Sequence, residues 1–223
     1  MLQIRIHGRG GQGVVTAAEM LSLAAFEQGH HAQAFPSFGS ERTGAPVVAF
    51  CRIDSKEIRL REPVLAPDVV IVQDPTLLHQ VDVFQGLKPD CYVLINTRKS
   101  FDELGLSDMV QRFRHERLTT VPATDIALKL LGRPLPNAVL LGGFAALISR
   151  RAAPETDDPL GGRAERSDDL GASLFGMVTL EAVEHAINHK FSGKVAAGNV
   201  AGAQEAYAYV RHEMTELSHA QTS

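Results

Sequence analysis

The sequence predicts an α/β domain of the three-layer, Rossmann-like kind, with a mostly parallel mixed sheet, an antiparallel hairpin and C-terminal helices. Three observations predict it. A strand-like start runs into a glycine-rich turn and then into a helical pattern. Residues 69–72 and 92–95 are continuous apolar runs, which suit strands buried on both faces of a sheet. Strand and helix signals alternate along the N-terminal half.

Residues 2–7 read as a strand with Leu2, Ile4 and Ile6 on one face. Residues 8–13 form the glycine turn. Residues 14–28 have helical spacing at Val15, Ala18, Leu21 and Ala25, and Gly29 ends the helix by taking a positive φ. Residues 31–35 are a second strand, followed by a polar loop over 36–46. Residues 47–53 and 57–60 read as the two strands of the hairpin, joined at Asp54, Ser55 and Lys56. After the run at 69–72, Asp74-Pro75 opens a short helix. The run at 92–95 ends at Asn96-Thr97, and 118–121 is a weaker strand signal. Residues 123–131 and 137–149 read as helices, the second capped by Asn137 after Pro136.

Residues 153–171 break the pattern. They are rich in Pro, Gly and charge and nearly devoid of apolar residues, so an exposed insertion is expected. Two closing helices are expected at 180–191 and 199–217. The first buries Leu180, Val183, Ile187 and Phe191; the second buries Val200, Ala203, Ala206, Tyr207, Val210 and Met214. Residues 1–217 are thus one domain, and 218–223 a frayed tail.

The length of 223 residues fits one such domain, large enough to hold a core without disulfides or metals. Lys plus Arg is 22 against 26 Asp plus Glu, a formal charge of −4, which argues against a nucleic-acid partner. A hydrophobic content of 44% excludes wholesale disorder. The two cysteines, Cys51 and Cys91, lie in apolar runs and read as buried thiols. Two cysteines cannot hold a four-cysteine iron–sulfur cluster. No signal peptide precedes the first strand, and no apolar run approaches the roughly 20 residues of a membrane span. A cytoplasmic protein without membrane contact is expected.

Gly8-Arg9-Gly10-Gly11-Gln12-Gly13 fits G-x-G-x-x-G between a strand and a helix. Glycines let the backbone approach a ligand, and the free N–H groups of a helix start favour a phosphate. A nicotinamide cofactor fails one test. The acid that should bind the ribose, about 20 positions on, is missing from His30-His31-Ala32-Gln33-Ala34-Phe35. The loop after the second strand is the other candidate. It carries Ser37, Phe38, Ser40, Glu41, Arg42 and Thr43 with Gly39 and Gly44, and in a parallel sheet it emerges beside the glycine turn. Arg42 suits a phosphate or a partner carboxylate. His185 and His189 share i, i+4 spacing, but no H-E-x-x-H is present, and the histidines read as surface residues with no metal site.

The segments His7 to Ala18, Ala34 to Val47, Pro67 to Ile71 and Asp74 to Leu78, with Gly132 to Asn137 and Phe191 to Asn199, closely resemble the gamma subunit of pyruvate:ferredoxin oxidoreductase and related 2-oxoacid oxidoreductases. The resemblance implies a complex that oxidatively decarboxylates a 2-oxoacid to an acyl-CoA and carbon dioxide. Pyruvate is the default, with phenylglyoxylate or 2-oxoglutarate as alternatives. It implies thiamine diphosphate, Mg2+ and [4Fe-4S] clusters on partner subunits of alpha, beta and delta type. Ferredoxin or a NAD-reducing flavoprotein would be the acceptor. This chain would be non-catalytic alone and hold part of a shared coenzyme A site, at Gly8 to Gly13 and at Ser37 to Gly44. Glu41 departs from the more basic loop of single-chain relatives. Two other readings stand beside this one: an assembly subunit with both loops empty, and a stand-alone nucleotide-binding oxidoreductase.

Overall fold

The computed structural model describes residues 1–37, 43–149 and 176–220. The expected insertion at 153–171 lies outside them, as do residues 38–42 and 221–223. A six-stranded sheet has the order β2-β3-β1-β4-β5-β6. The strands are β1 (Leu2–Arg9), β2 (His31–Pro36), β3 (Pro46–Asp54), β4 (Val69–Val72), β5 (Tyr92–Asn96) and β6 (Leu118–Val121). All run the same way except β3, which is antiparallel to both β1 and β2.

The hairpin expected between residues 47–53 and 57–60 is therefore corrected. β3 is already paired along both edges, Ile4 with Cys51 on one side and Cys51 with Ala34 on the other, so no edge is left for residues 57–60. That segment carries no strand and is mostly exposed. The antiparallel element is instead the β2–β3 pair, whose connection is the second candidate loop.

One face of the sheet is covered by helices: α1 (Val14–Glu27), α3 (Ala123–Leu131), α4 (Asn137–Ile148), α5 (Leu180–Lys190) and α6 (Gly193–Ala220). Every residue of α4 is buried, because it lies between the sheet strands β5 and β6 and the outer helix α6. A helix apolar all round can only be stable in such a place. The other face is covered by a 3-10 turn at Pro75–His79, the short helix α2 (Ser107–Arg112) and irregular chain, packed on Val70, Val72, Val93 and Ile95. Buried arginines fasten this layer. Arg5 donates to the carbonyls of Val83 at 3.0 Å and Gln85 at 2.6 Å, and Arg52 donates to the carbonyl of Glu62 at 2.6 Å. Both cysteines are buried and free, and burial pushes the Cys91 thiol up to about 11. Among the described residues no helix is long and apolar enough to cross a membrane.

Two helix starts differ from the sequence expectation. The last helix begins at Gly193, six residues before Asn199. Its early glycines are packing positions: a Cβ on Gly198 would lie 2.6 Å from Leu131 Cδ2, and one on Gly202 2.7 Å from Val139 Cγ2. Asn137 does not cap α4. Pro136 holds the cap position, no side chain caps the helix, and Asn137 is turned against Gly13 instead.

Gly142 marks the closest helix contact, since a Cβ there would lie 2.0 Å from the backbone oxygen of Ala203 in α6. Gly142→Ala should overpack the α4–α6 interface by about 2–3 kcal/mol and lower the thermal midpoint by roughly 4–10 °C. Gly143→Ala meets only ordinary contacts of 3.5 Å or more. It should leave the midpoint unchanged or raise it by about 2–4 °C through helix propensity. Circular dichroism melts of the two variants check the pair.

Candidate functional site

β1 continues through Gly8 and Arg9, which pair with Val47 and Pro46, so the turn proper is Gly10 to Gly13. Gly8 is required by close approach: a Cβ would lie 2.6 Å from Val14 Cγ2. Gly13 enters α1 at φ 71°, and a Cβ there would lie 2.4 Å from the Asn137 amide nitrogen. The turn is sewn to the end of the second loop. Gly10 N–H donates to Ala45 O at 2.9 Å and Gly44 N–H donates to Gly10 O at 3.0 Å. The expected meeting of the two loops at one sheet edge is thus seen at Thr43 and Gly44, while Ser37 N–H donates to Val48 O at 2.8 Å; all three residues are exposed. Phe38, Gly39, Ser40, Glu41 and Arg42 lie outside the described residues.

α1 has no side-chain cap, so its first N–H groups keep their donors free of the chain. Val14, Val15 and Thr16 line a cavity of about 320 Å³ together with Gly10, Gly11 and Val47. The positive end of a 14-residue helix opening on a cavity suits an anion.

Arg9, within the Gly8 to Gly13 stretch, also lines that cavity, and its guanidinium is bonded extensively to the protein. Nε donates to Asp74 Oδ2 at 3.1 Å, and one Nη donates to Gly44 O at 3.0 Å. The other Nη donates to Thr76 Oγ1 at 2.7 Å and Gln80 Oε1 at 2.9 Å. Gln12 is committed at both ends, accepting from Arg9 N at 2.8 Å and donating to Asp74 Oδ2 at 2.8 Å. Burial would raise the Asp74 carboxyl, but hydrogen bonds from Thr76 and Gln12 and the charge of Arg9 hold it below the usual carboxylate range. Sequence reasoning found Asp74 only as a helix-starting residue before Pro75. Nothing local told that it would receive the turn from 62 residues away.

Beneath the turn, Asn96 ties the strand ends together. Its amide donates to Gln73 O at 2.7 Å and Thr124 Oγ1 at 2.7 Å, and its Oδ1 accepts from Thr124 N–H at 3.0 Å. Among the described residues His7 is the buried histidine, at 6% exposure. Desolvation, helped by the charge of Arg5, pushes it down to about 3, so it is neutral in the folded chain. His185 and His189 are exposed, and among the described residues no three His, Cys, Asp or Glu side chains come together.

A second cavity, of about 420 Å³, opens on the other side of the turn. Gly11, Gly13 and Thr16 meet Arg133 and Asn137 from the α3–α4 connection there, and Lys190, Phe191 and Asn199 from α5 and α6.

Residues 3–156 match the model of the pyruvate ferredoxin/flavodoxin oxidoreductase family. A common subunit gamma of the pyruvate/ketoisovalerate oxidoreductases of Pyrococcus furiosus is 42% identical over 207 residues, covering 93% of this chain and 96% of the relative. The pyruvate synthase subunit PorC of Methanosarcina barkeri is 55% identical over 145 residues, 65% of this chain and 76% of that one. The crystal structure of the pyruvate oxidoreductase subunit PORC of Thermotoga maritima superposes with a TM-score of 0.67 at 34% identity, covering 93% and 95% of the two chains.

Asp74→Ala strands the donors of Arg9 and Gln12. It should cost about 1–3 kcal/mol in urea unfolding and speed hydrogen exchange at the amides of Gly10 and Gly44. Exchange unchanged at both amides would show that Asp74 does not hold the turn. His7 gives a pH dependence. Below pH 6.5 the unfolded chain takes up a proton at His7 that the folded chain refuses until about pH 3. The contribution of neutral His7 to stability is therefore fully present above pH 6.5 and falls by up to about 1.4 kcal/mol per pH unit as the pH drops below it. His7→Gln should lose that slope, as urea titrations at pH 6.5 and pH 5 would record.

Proposed function

The chain belongs to the pyruvate ferredoxin/flavodoxin oxidoreductase family, and from that premise we propose that it is the gamma subunit of a multi-subunit 2-oxoacid oxidoreductase and forms part of its coenzyme A site. The reaction is the oxidative decarboxylation of a 2-oxoacid to an acyl-CoA and carbon dioxide, with pyruvate as the 2-oxoacid. The observation that carries the coenzyme A reading is the uncapped start of α1, which opens on a cavity beside the glycine turn and the stem of the second loop. Coenzyme A carries a pyrophosphate and a 3′-phosphate. The N–H groups of Val14, Val15 and Thr16 and the positive helix end give a phosphate donors without a competing side-chain acceptor.

The role of this chain is binding and orientation. Arg9 and Asp74 keep the turn in register with the stem of the second loop at Gly44, so that a bound phosphate meets a preformed set of donors. Arg42, in the second loop, is the cation offered to the ligand. The chain's own residues do not fit a redox centre. Its two cysteines are buried with raised thiol pKa, and no metal-ligand cluster is found among the described residues. In this reading, which follows the family resemblance, thiamine diphosphate, Mg2+ and the iron–sulfur clusters belong to alpha, beta and delta partners. Those partners pass electrons to ferredoxin or to a flavoprotein.

Arg42→Ala in the assembled complex should raise KM for coenzyme A by roughly tenfold or more, the size of a lost charge-assisted contact, and leave KM for the 2-oxoacid nearly unchanged. Steady-state assays following viologen reduction at varied coenzyme A and varied 2-oxoacid check it. Equal rises in both constants would remove the coenzyme A contact and leave an assembly role.

A further inference from the structure

Two sequence segments remain without a role in the coenzyme A reading: residues 132–137 and residues 191–199. The fold brings residues of both to the glycine turn, where they close the cavity of about 420 Å³. We propose that this cavity is a binding site for a nucleoside phosphate, with Arg133 and Asn137 as the residues that recognise its phosphate. The inference deepens the coenzyme A reading and rests on it for the identity of the nucleoside.

Four observations point to that ligand. First, two helices begin at the cavity without side-chain caps: α1 at Val14 and α4 at Asn137. Their free N–H groups and positive ends favour an anion. Second, Asn137 is only 6% exposed and lines the cavity, yet its carboxamide has no hydrogen-bond partner among the described residues. It packs against the turn, its Nδ2 lying 2.4 Å from where a Cβ on Gly13 would stand. The side chain is nine-tenths buried and what remains accessible opens on the cavity, so its amide can meet a polar ligand atom there. Third, the two cations at the cavity are not equivalent. Lys190 is held by Glu19 at 2.7 Å, whereas Arg133 is exposed and meets no carboxylate among the described residues. Arg133 is therefore the cation available to a phosphate. Fourth, the remaining wall is apolar, with Leu135, Phe191 and Val195. Beside it lies Asn199, whose amide donates to Val195 O at 2.9 Å and leaves its Oδ1 without a donor. A flat base carrying an amino group fits such a wall. The volume is within the range of roughly 300–1,000 Å³ usual for small-molecule sites.

The source of the nucleoside phosphate is either the adenosine end of coenzyme A or a separate nucleotide. Adenosine 3′,5′-bisphosphate serves as the probe for both, by calorimetric titration of the assembled complex and by inhibition kinetics. The expected result is saturable binding that weakens about tenfold or more in Arg133→Gln, an exposed position where folding is not at risk. The near-isosteric Asn137→Asp, which sets a carboxylate against the phosphate, should abolish it. Inhibition competitive with coenzyme A would identify the coenzyme's own adenosine end, and binding without competition a separate nucleotide. Bisphosphate binding that is absent from the wild-type complex, or equal in wild type and Arg133→Gln, would overturn the proposal. Loss of partner chains from Arg133→Gln with no bisphosphate binding by the wild-type complex would overturn it too, and reassign the cavity to a subunit contact. Lost bisphosphate binding in Arg133→Gln beside an unchanged KM for coenzyme A in Arg42→Ala would instead remove the Arg42 contact and keep this site.

Discussion

Arg9 donates at once to the Asp74 carboxylate, the Gly44 carbonyl, Thr76 and Gln80, and through these bonds one side chain ties the ends of β1 and β4 to the stem of the second loop. Gln12 closes the network from inside the turn. The consequence is positional. A glycine turn has little side-chain packing of its own to define it, so its shape must be imposed from outside. Here a half-buried ion pair with convergent hydrogen bonds does so, in the geometry where charge-assisted bonds are strongest. The same bonds commit the Arg9 guanidinium to holding the turn against β4 and the loop stem.

The two faces of the sheet are built by different means. The helical face is held by close approach: α6 lies so near α4 that Gly142 has no room for a Cβ, and α4 in turn sets Asn137 against Gly13. The opposite face has few helices to bury its apolar strands, and Arg5 and Arg52 reach from the sheet to backbone carbonyls of irregular chain. A buried guanidinium needs several acceptors, and unpaired loop carbonyls need donors, so each satisfies the other. The outcome is an asymmetric domain whose helix starts converge on one edge, around the glycine turn. Two cavities flank that turn, one toward β3 and one toward α5 and α6.

Much of this was legible in the sequence because its signals are local. Double-sided apolar runs became β4 and β5, the central parallel strands. Gly29 stopped α1 with φ 82°, and Asp74-Pro75 began a 3-10 turn with the Asp74 side chain as its cap. The family resemblance, carried by the glycine turn and the second loop, agrees with the family that the chain belongs to. The errors were those of pairing. A strand pattern at 47–53 does not say which neighbours it has, and the nearest polar stretch, 57–60, was given to it when β1 and β2 had taken both edges. The Gly193 helix start was hidden because glycines read as breakers when considered without their neighbours, and as packing sites once Leu131 and Val139 are beside them.

The sequence by itself determined the six sheet strands and the longer helices, the glycine turn at the head of α1 and the edge at which both loops emerge. These follow from periodicity, turn chemistry and the parallel direction of β1 and β2, all properties of short stretches of chain. Only the tertiary structure decided who meets whom: Arg9 with Asp74, Asn137 with Gly13, Lys190 with Glu19, and Arg133 left facing a cavity. The physical reason is that a side chain's charge and hydrogen-bonding capacity are written in its residue type, whereas its partner is set by packing between segments far apart in sequence. A cation bound to an internal carboxylate and one that lines a cavity are the same residue type until the fold assigns their neighbours.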